Sequence, residues 1–242
     1  MNAIFEAVRR RGALAAAVIA LGMWAAGSAQ AQSSAPLKIG IVGTGKIGGA
    51  LARHWVKAGH EVFVSSRHPE ELQGLVKELG PRAHAGTPKE AAAFGSVVLV
   101  SVPYGAMPQL GEDLRAELAG KVIIDTSNPV SPRDGDRVPE WQKKGAGVST
   151  AELLHNNRVV RAFNCIPAAS LASNGNRQPE RIAIPIGGDD KAAIEVTERL
   201  IRDAGFDPVL VGSLADSRKF DLGQPLAQGS LTAAQLKARI GQ

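Results

Sequence analysis

The chain has 242 residues, of which 44% are hydrophobic and 21% are charged, a balance that excludes a disordered or collagen-like protein. The net charge is +5. The chain has no run of more than three basic residues and does not interleave basic with aromatic residues, so the sequence does not indicate a nucleic-acid partner. The single cysteine, Cys165, excludes an intramolecular disulfide, and its apolar neighbours favour a small buried side chain over a reactive thiol.

The first 31 residues predict a secretory signal peptide. Three arginines at residues 9–11 precede an apolar run over residues 12–26, and Ala29 and Ala31 form a small-residue cleavage pattern. The run is shorter than the ~20 residues of a membrane span, so we expect cleavage after Ala31, no membrane span in the mature protein, and a periplasmic or secreted location. The Sec and twin-arginine routes both stay open. A misassigned start codon and a cytoplasmic protein are the alternative.

The most informative motif follows the first predicted strand. Residues 38–49 have the pattern of a buried strand, a glycine turn and the first turn of a helix, and Gly43, Gly45 and Gly48 match the G-x-G-x-x-G pattern of dinucleotide-binding folds. The first glycine permits a tight turn, the second lets the backbone approach a pyrophosphate, and the third lets the helix pack closely on the strand. The N–H groups at the start of that helix would face the phosphates.

The end of the second predicted strand, residues 61–65, indicates which dinucleotide would bind. NAD-binding folds usually carry an acidic residue there, which bonds the ribose hydroxyls. This chain has Ser66, Arg67 and His68 instead. An arginine can bind a 2′-phosphate with two parallel hydrogen bonds, so the sequence predicts NADP as the preferred cofactor. The alternative is that Arg67 is an ordinary surface residue at the start of a loop.

Strands and helices alternate along most of the chain, as a doubly wound α/β fold requires. The predicted strands cover residues 37–42, 61–65, 82–84, 97–102, 121–125, 159–163, 181–186 and 207–211. The predicted helices cover residues 47–58, 69–79, 88–94, 107–118, 149–155, 190–204 and 214–220. Residues 131–147 are polar and rich in proline and glycine, and they predict a long surface loop. We therefore expect a Rossmann-type, mostly parallel sheet with a small C-terminal α/β extension over residues 36–222, followed by a polar tail over residues 223–242.

Several separated motifs resemble the NADPH:F420 oxidoreductase family, to whose wider group the NADP-binding domain of the STEAP-type metalloreductases belongs. The motifs lie at residues 43–48 (GTGKIG), 65–67 (SSR), 101–104 (SVPY), 125–129 (DTSNP), 159–167 (VVRAFNCIP), 186–190 (IGGDD) and 212–214 (GSL). The resemblance runs from about residue 37 to residue 220. It implies an NADP(H)-dependent oxidoreductase that transfers a hydride between NADPH and a flavin- or deazaflavin-like acceptor.

The same resemblance assigns roles to individual positions. The residues implied in NADP binding are Gly43, Thr44, Gly45, Lys46, Ile47, Gly48, Ser66, Arg67, His68, Val102, Pro103, Tyr104, Asn128 and Pro129. The catalytic candidates are Tyr104, for stacking or proton donation, and Asn164, which would face the hydride acceptor. Because the cofactor carries the chemistry, no acid–base pair is required for the hydride step. The five histidines show no ligand spacing, so no metal site is expected.

Two alternatives stay open. An imine reductase or 3-hydroxyacid dehydrogenase would add a large all-helical domain with a catalytic lysine, whereas two strands are predicted after Pro167. A non-catalytic NADP-binding sensor also fits the sparse set of acid–base residues. The segment after residue 218 is expected to lack the apolar helix of true deazaflavin enzymes. The oligomeric state is open, with a homodimer as one possibility.

Overall fold

The computed structural model describes residues 35–155 and 158–242. The expected signal peptide, residues 1–31, lies outside the described residues. In the part of the chain that is described, none of the helices has the length and apolar character needed to cross a membrane.

Residues 36–242 fold around an eight-stranded sheet. Its strands are β1 (Lys38–Val42), β2 (Glu61–Ser65), β3 (Ala83–Gly86), β4 (Val97–Val100), β5 (Val122–Asp125), β6 (Val159–Arg161), β7 (Ala183–Gly188) and β8 (Asp207–Gly212). The spatial order is β3-β2-β1-β4-β5-β6-β7-β8. All neighbouring pairs are parallel except β6 and β7, which are antiparallel. The predicted Rossmann-type, mostly parallel sheet is thus confirmed, and the strand order reverses between β1 and β4, where open α/β sheets bind ligands.

Ten α-helices accompany the sheet within the described ranges. They are α1 (Lys46–Lys57), α2 (Gln73–Leu79), α3 (Pro88–Phe94), α4 (Met107–Asp113), α5 (Arg115–Leu118), α6 (Val138–Lys144), α7 (Ala146–Leu153), α8 (Ala168–Ser173), α9 (Lys191–Asp203) and α10 (Ala233–Ile240). Short 3-10 turns cover Pro69–Leu72, Tyr104–Ala106 and Ala215–Phe220. The sequence places α3 correctly because Thr87 and Glu90 form a reciprocal capping box at its start.

Two apolar clusters cover the two faces of the sheet. Successive residues of a strand point to opposite faces. Leu99 therefore joins the cluster beneath α1 and α9, whereas Val98 and Val100 join the cluster beneath α4, α6 and α7. The Nε1 of Trp55 donates a hydrogen bond to the Leu200 carbonyl over 2.9 Å and so fastens α1 to α9. With both faces covered, the carboxyl ends of β1 to β6 are left at one edge of the sheet to build a site.

The segment over residues 131–147, predicted as a surface loop, is partly helical. It contains α6 and the start of α7, and both Val138 and Trp141 are buried in the core. The proline and glycine content of this segment led to the prediction of a loop. The apolar residues Val138 and Trp141, however, are three residues apart and lie on the same face of a helix. The predicted helix over residues 107–118 also differs, because it breaks at Leu114 into α4 and α5.

The C-terminal segment carries a helix that the sequence interpretation did not include. Helix α10 begins after a capping box of Thr232 and Gln235. Its buried Leu236 joins Leu231 and Leu226 in an apolar cluster against β7 and β8. The interpretation of residues 223–242 as a polar tail therefore missed this helix, because only one of the three leucines, Leu236, lies within it.

Candidate active site

The glycine turn after β1 has one open position and two crowded ones. Gly43 has φ +93°, a conformation that favours glycine, and a Cβ there would collide with the Ser101 carbonyl. A Cβ on Gly48 would lie 2.5 Å from the Gly43 carbonyl oxygen. At Gly45, by contrast, nothing lies within 4 Å of an added Cβ. The turn is therefore tightly built on its protein side and open at Gly45, where a ligand's phosphates could approach the backbone.

Thr44 binds this turn to the end of β2. Its N–H donates to the Ser65 carbonyl over 2.9 Å, and its Oγ1 accepts a hydrogen bond from the Ser65 N–H, also over 2.9 Å. The Ser65 hydroxyl in turn donates to the Ile41 carbonyl over 2.7 Å. The structure thus brings the glycine turn next to Ser66 and the two residues that follow it.

Two cations beside this turn are available to an anion. Lys46, at the start of α1, and Arg67, after β2, are both exposed. Neither side chain makes a hydrogen bond or ion pair with any residue in 35–155 or 158–242. His68 differs, since its Nδ1 lies 3.5 Å from a Glu70 carboxylate oxygen. Open backbone at Gly45, the N-terminus of a twelve-residue helix and two uncommitted cations fit a dinucleotide that carries an additional phosphate.

The loops after β4 and β5 are joined by a buried carboxylate. Asp134 accepts hydrogen bonds from the Gly105 N–H over 3.1 Å and from the Val130 N–H over 2.8 Å. Its other partner is Arg133, at 2.7 Å. Burial tends to raise the pKa of Asp134, but the hydrogen bonds from Arg133 and from the two N–H groups outweigh it and lower that pKa below its usual value. This carboxylate therefore holds the backbone of Gly105, after β4, close to the backbone of Val130, after β5.

Val102 and Pro103 follow β4 beside the glycine turn. Pro103 is exposed and Val102 is partly buried. A Cβ on Gly43 would lie 2.7 Å from the Cγ1 of Val102, so that side chain packs directly on the turn. The predicted NADP-binding residues after β1 and β4 are therefore neighbours.

The roles predicted for Tyr104, stacking on a ligand or donating a proton to it, do not agree with its position in the structure. Its side chain is fully buried, its ring packs 5.1 Å from the Trp141 ring centre, and its hydroxyl donates to the Ala146 carbonyl over 2.6 Å. The hydroxyl also lies 3.0 Å from Thr150 Oγ1. Burial raises the pKa of Tyr104 far above its usual value. A ring with no exposed face and a committed hydroxyl cannot stack on a ligand or donate a proton to one, so the roles expected from its place after a strand do not hold.

A buried arginine, which the sequence interpretation did not single out, organises the ends of β5 and β6. The guanidinium of Arg161 donates to Asp125 Oδ2 over 2.8 Å and to the Ser127 carbonyl over 2.7 Å. It also donates to Asn128 Oδ1 over 2.8 Å, and it forms an ion pair with Asp221 at 2.9 Å. A signal was present, since Arg161 is a charged residue inside an apolar run that reads as a strand.

The two asparagines that the sequence singled out lie together. Asn128 donates from its Nδ2 to the Asn164 carbonyl over 2.7 Å. Asn164 is 6% exposed and donates to the Phe220 carbonyl over 2.9 Å, while its own Oδ1 has no partner among the described residues. Phe163, just before it, has φ +61°, which is uncommon for a residue with a large side chain. Asn164 is thus held beneath Asn128 with one unsatisfied acceptor.

A cleft of about 310 Å³ opens beside the end of β5. Its lining residues are Asn128, Pro129, Gln142, Arg218, Lys219, Asp221, Leu222 and Gln224. The volume falls at the lower end of the range of ligand pockets. The predicted residues Asn128 and Pro129 therefore line a cavity, whose far wall comes from the segment after β8.

Two other chemistries find little support in the described part of the chain. No group of three histidine, cysteine or acidic side chains in residues 35–155 and 158–242 is arranged to hold a metal ion. Cys165 is buried, and burial raises the pKa of its thiol to about 12. A thiol with that pKa stays protonated near neutral pH and is a poor nucleophile.

Comparisons with known proteins find similarity to F420-dependent NADP reductases and to metalloreductases. The sequence model of the family described as NADP oxidoreductase, coenzyme F420-dependent, matches residues 38–129. The metalloreductase STEAP3 of Rattus norvegicus is 33% identical over 199 residues, which cover 80% of this chain and 37% of that protein. The F420-dependent NADP reductase of Methanothermobacter thermautotrophicus is 28% identical over 204 residues, which cover 78% of this chain and 87% of that protein.

A solved structure extends these comparisons to the fold. A hypothetical protein from Sinorhizobium meliloti superposes with a TM-score of 0.72 at 28% identity, over 82% of this chain and 96% of that one. The aligned region spans little more than a third of the metalloreductase but most of the F420-dependent NADP reductase. The family model covers the glycine turn, Arg67 and Asn128, and it ends before Arg161 and the segment after β8.

Proposed function

We propose that the chain is a member of the family of coenzyme F420-dependent NADP oxidoreductases, whose sequence model matches residues 38–129, and that it is an enzyme that transfers a hydride between NADPH and a flavin- or deazaflavin-like acceptor. One observation carries the proposal. An open glycine turn after β1 lies beside an arginine after β2 that has no partner among the described residues. That pair matches a pyrophosphate and a 2′-phosphate.

The residues that would hold NADP fall into two groups. The N–H groups of Thr44, Gly45, Lys46 and Ile47 would bind the pyrophosphate at the N-terminus of α1. Ser66 and Arg67 would bind the 2′-phosphate, with His68 beside them. No acidic residue precedes Glu70 after β2, so a 2′-phosphate would meet no repulsive charge at the strand end.

Bound NADPH would supply the hydride, and the chain's own part is positioning. Arg161 and Asp134 fix the loops that follow β4, β5 and β6, so Asn128 and Pro129 have a defined place at the cleft. Asn164 is buried behind Asn128 and would act by positioning it, since its carbonyl accepts the hydrogen bond from Asn128 Nδ2. Since transfer to a flavin-type ring needs no proton donor in the hydride step, the burial of Tyr104 does not weaken the proposal.

The alternative of an imine reductase or 3-hydroxyacid dehydrogenase gains no specific support. In those enzymes an all-helical domain follows the dinucleotide domain, whereas residues 183–212 here add β7 and β8 to the same sheet. A non-catalytic sensor would also bind NADP, so only a measurement of turnover distinguishes it from an enzyme.

The experiment is steady-state oxidation of NADPH, followed at 340 nm, with FMN, riboflavin or coenzyme F420 as the acceptor. We expect continuous turnover with at least one of these acceptors and a preference for NADPH over NADH. Tight NADP binding without turnover with any of them would favour the sensor.

We propose in addition that residues 1–31 direct export and that the mature protein acts in the periplasm or outside the cell. N-terminal sequencing of the protein from the producing cells tests this directly. A mature chain that begins at Gln32 supports export, and a chain that retains residues 1–31 in the cytoplasm opposes it.

A further inference from the structure

The outer wall of the cleft beside Asn128 comes from the 3-10 turn after β8 and the residues that follow it. Asp221 anchors this wall, because its carboxylate pairs with Arg161 at 2.9 Å and accepts a hydrogen bond from the Ala146 N–H over 3.2 Å. The wall presents Arg218 and Leu222 to the cavity. Its position is therefore set by the same buried arginine that orients Asn128.

The charges on this wall are not equivalent. Lys219 lies 2.9 Å from an Asp216 carboxylate oxygen, and Asp221 pairs with Arg161, which it shares with Asp125. The guanidinium of Arg218 makes no hydrogen bond or ion pair with the residues that the structure describes. One uncommitted positive charge therefore remains at the cavity.

The stem of Arg218 is held in place. A Cβ added to Gly145 would lie 2.5 Å from the Cγ and 2.9 Å from the Cδ of Arg218, so the stem packs directly on the Gly145 backbone. Gly145 has φ +99°, which also favours glycine at this position. A guanidinium on a packed stem loses less side-chain freedom when it binds a ligand than one that moves freely in solvent.

We propose that Arg218 makes this cleft selective for acceptors whose side chain ends in a phosphate. The proposal rests on the proposed function, since it takes the cleft as the acceptor site. A guanidinium binds phosphate through two parallel hydrogen bonds. Leu222, which is 53% exposed, offers an apolar surface next to it for the ring of the acceptor.

The test compares FMN with riboflavin, which share one ring system and differ by a phosphate. Dissociation constants are measured by quenching of flavin fluorescence in the presence of NADP+. We expect the wild-type protein to bind FMN about tenfold more tightly than riboflavin. In Arg218→Ala this preference disappears while the affinity for riboflavin is kept, and in Arg218→Lys part of it returns because the charge remains. The matched control is Arg82→Ala, which removes an exposed arginine that does not line the cleft.

Each other outcome decides against the proposal. It is overturned if the wild-type protein binds both flavins equally or binds neither, or if Arg218→Ala weakens both to the same degree. Turnover separates this inference from the proposed function. If an Arg218-dependent preference for FMN is found but NADPH is not oxidised, the cleft assignment stands and the hydride-transfer proposal fails. If both flavins are reduced with the same KM, hydride transfer stands and the inference fails.

Discussion

The Nη2 of Arg161 lies 2.8 Å from the Oδ1 of Asn128, so the end of β6 is tied to the first residues of the loop after β5. The arginine is fully buried and is shared by two carboxylates, Asp125 and Asp221. Burial raises the pKa of Asp125, and the charge of Arg161 opposes that rise. The relationship joins three separate segments of the chain at the edge of the sheet where the cleft opens.

Replacing Arg161 tests whether this network holds the site together. Arg161→Ala leaves the buried Asp125 and the partly buried Asp221 without their cation, and breaking a buried pair in this way costs ~3–5 kcal/mol. Urea denaturation should show a loss of that order in the free energy of unfolding. The control is Arg202→Ala, which removes an exposed arginine that pairs with Glu198 on α9 and should change stability little. Similar losses in the two variants would show that the network is not important to the fold.

Tyr104→Phe separates a core role from a catalytic one. The change removes the hydrogen bonds of the hydroxyl to Ala146 and Thr150 and keeps the ring. We expect a loss of ~1–3 kcal/mol in stability, because a buried partner is left unsatisfied, and an unchanged kcat for NADPH oxidation. A kcat that falls a hundredfold with stability intact would restore Tyr104 as a proton donor.

The glycines of the turn should respond differently to alanine. Gly45→Ala places a methyl group in open space, so the protein without nucleotide should keep its melting temperature while its affinity for NADP falls by about tenfold or more. Gly48→Ala brings a methyl group within 2.5 Å of the Gly43 carbonyl and should lower the melting temperature itself. Gly74→Ala, another open glycine far from the turn in sequence, is the control: it should leave the affinity for NADP unchanged and should not lower the melting temperature, because alanine favours the helix α2 in which it lies. Equal melting temperatures for Gly45→Ala and Gly48→Ala would contradict the assigned roles.

Asp134 should make stability depend on pH in the acid range. Its pKa is lower in the folded protein than the unfolded value of ~3.9. Its contribution is therefore complete above the unfolded pKa and is lost as the pH falls through the lower folded pKa. The difference in the free energy of unfolding between wild type and Asp134→Asn should be constant from pH 7 to pH 5 and shrink below pH 4. A difference that does not change with pH would mean that Asp134 is not stabilised as a carboxylate.

Local signals account for the parts of the fold that the sequence predicted well. The bounds of β2 and α3 agree with the predicted ones because an apolar alternation and a capping box mark their ends. Helices α6, α8 and α10 were missed because each is short and is stabilised by packing on other segments. The antiparallel direction of β7 has no local signal, since it depends on pairing with β6.

The residues of the candidate site also differ in whether the sequence alone could predict their roles. The glycine turn and Arg67 could be recognised because their roles follow from residues adjacent in sequence. The pairing of Arg161 with Asp221 joins residues sixty positions apart, so no local pattern announces it. Tyr104 was misjudged because its position after β4 gives no indication that the following 3-10 turn directs the ring into the core.

Calorimetry of nucleotide binding tests most directly whether Arg67 recognises the 2′-phosphate of NADP. For Arg67→Ala we expect the affinity for NADPH to fall by about tenfold or more while the affinity for NADH stays the same, because only NADPH carries the phosphate that the guanidinium would bind. Equal losses for the two nucleotides, or a wild-type protein that does not prefer NADPH, would contradict this role of Arg67.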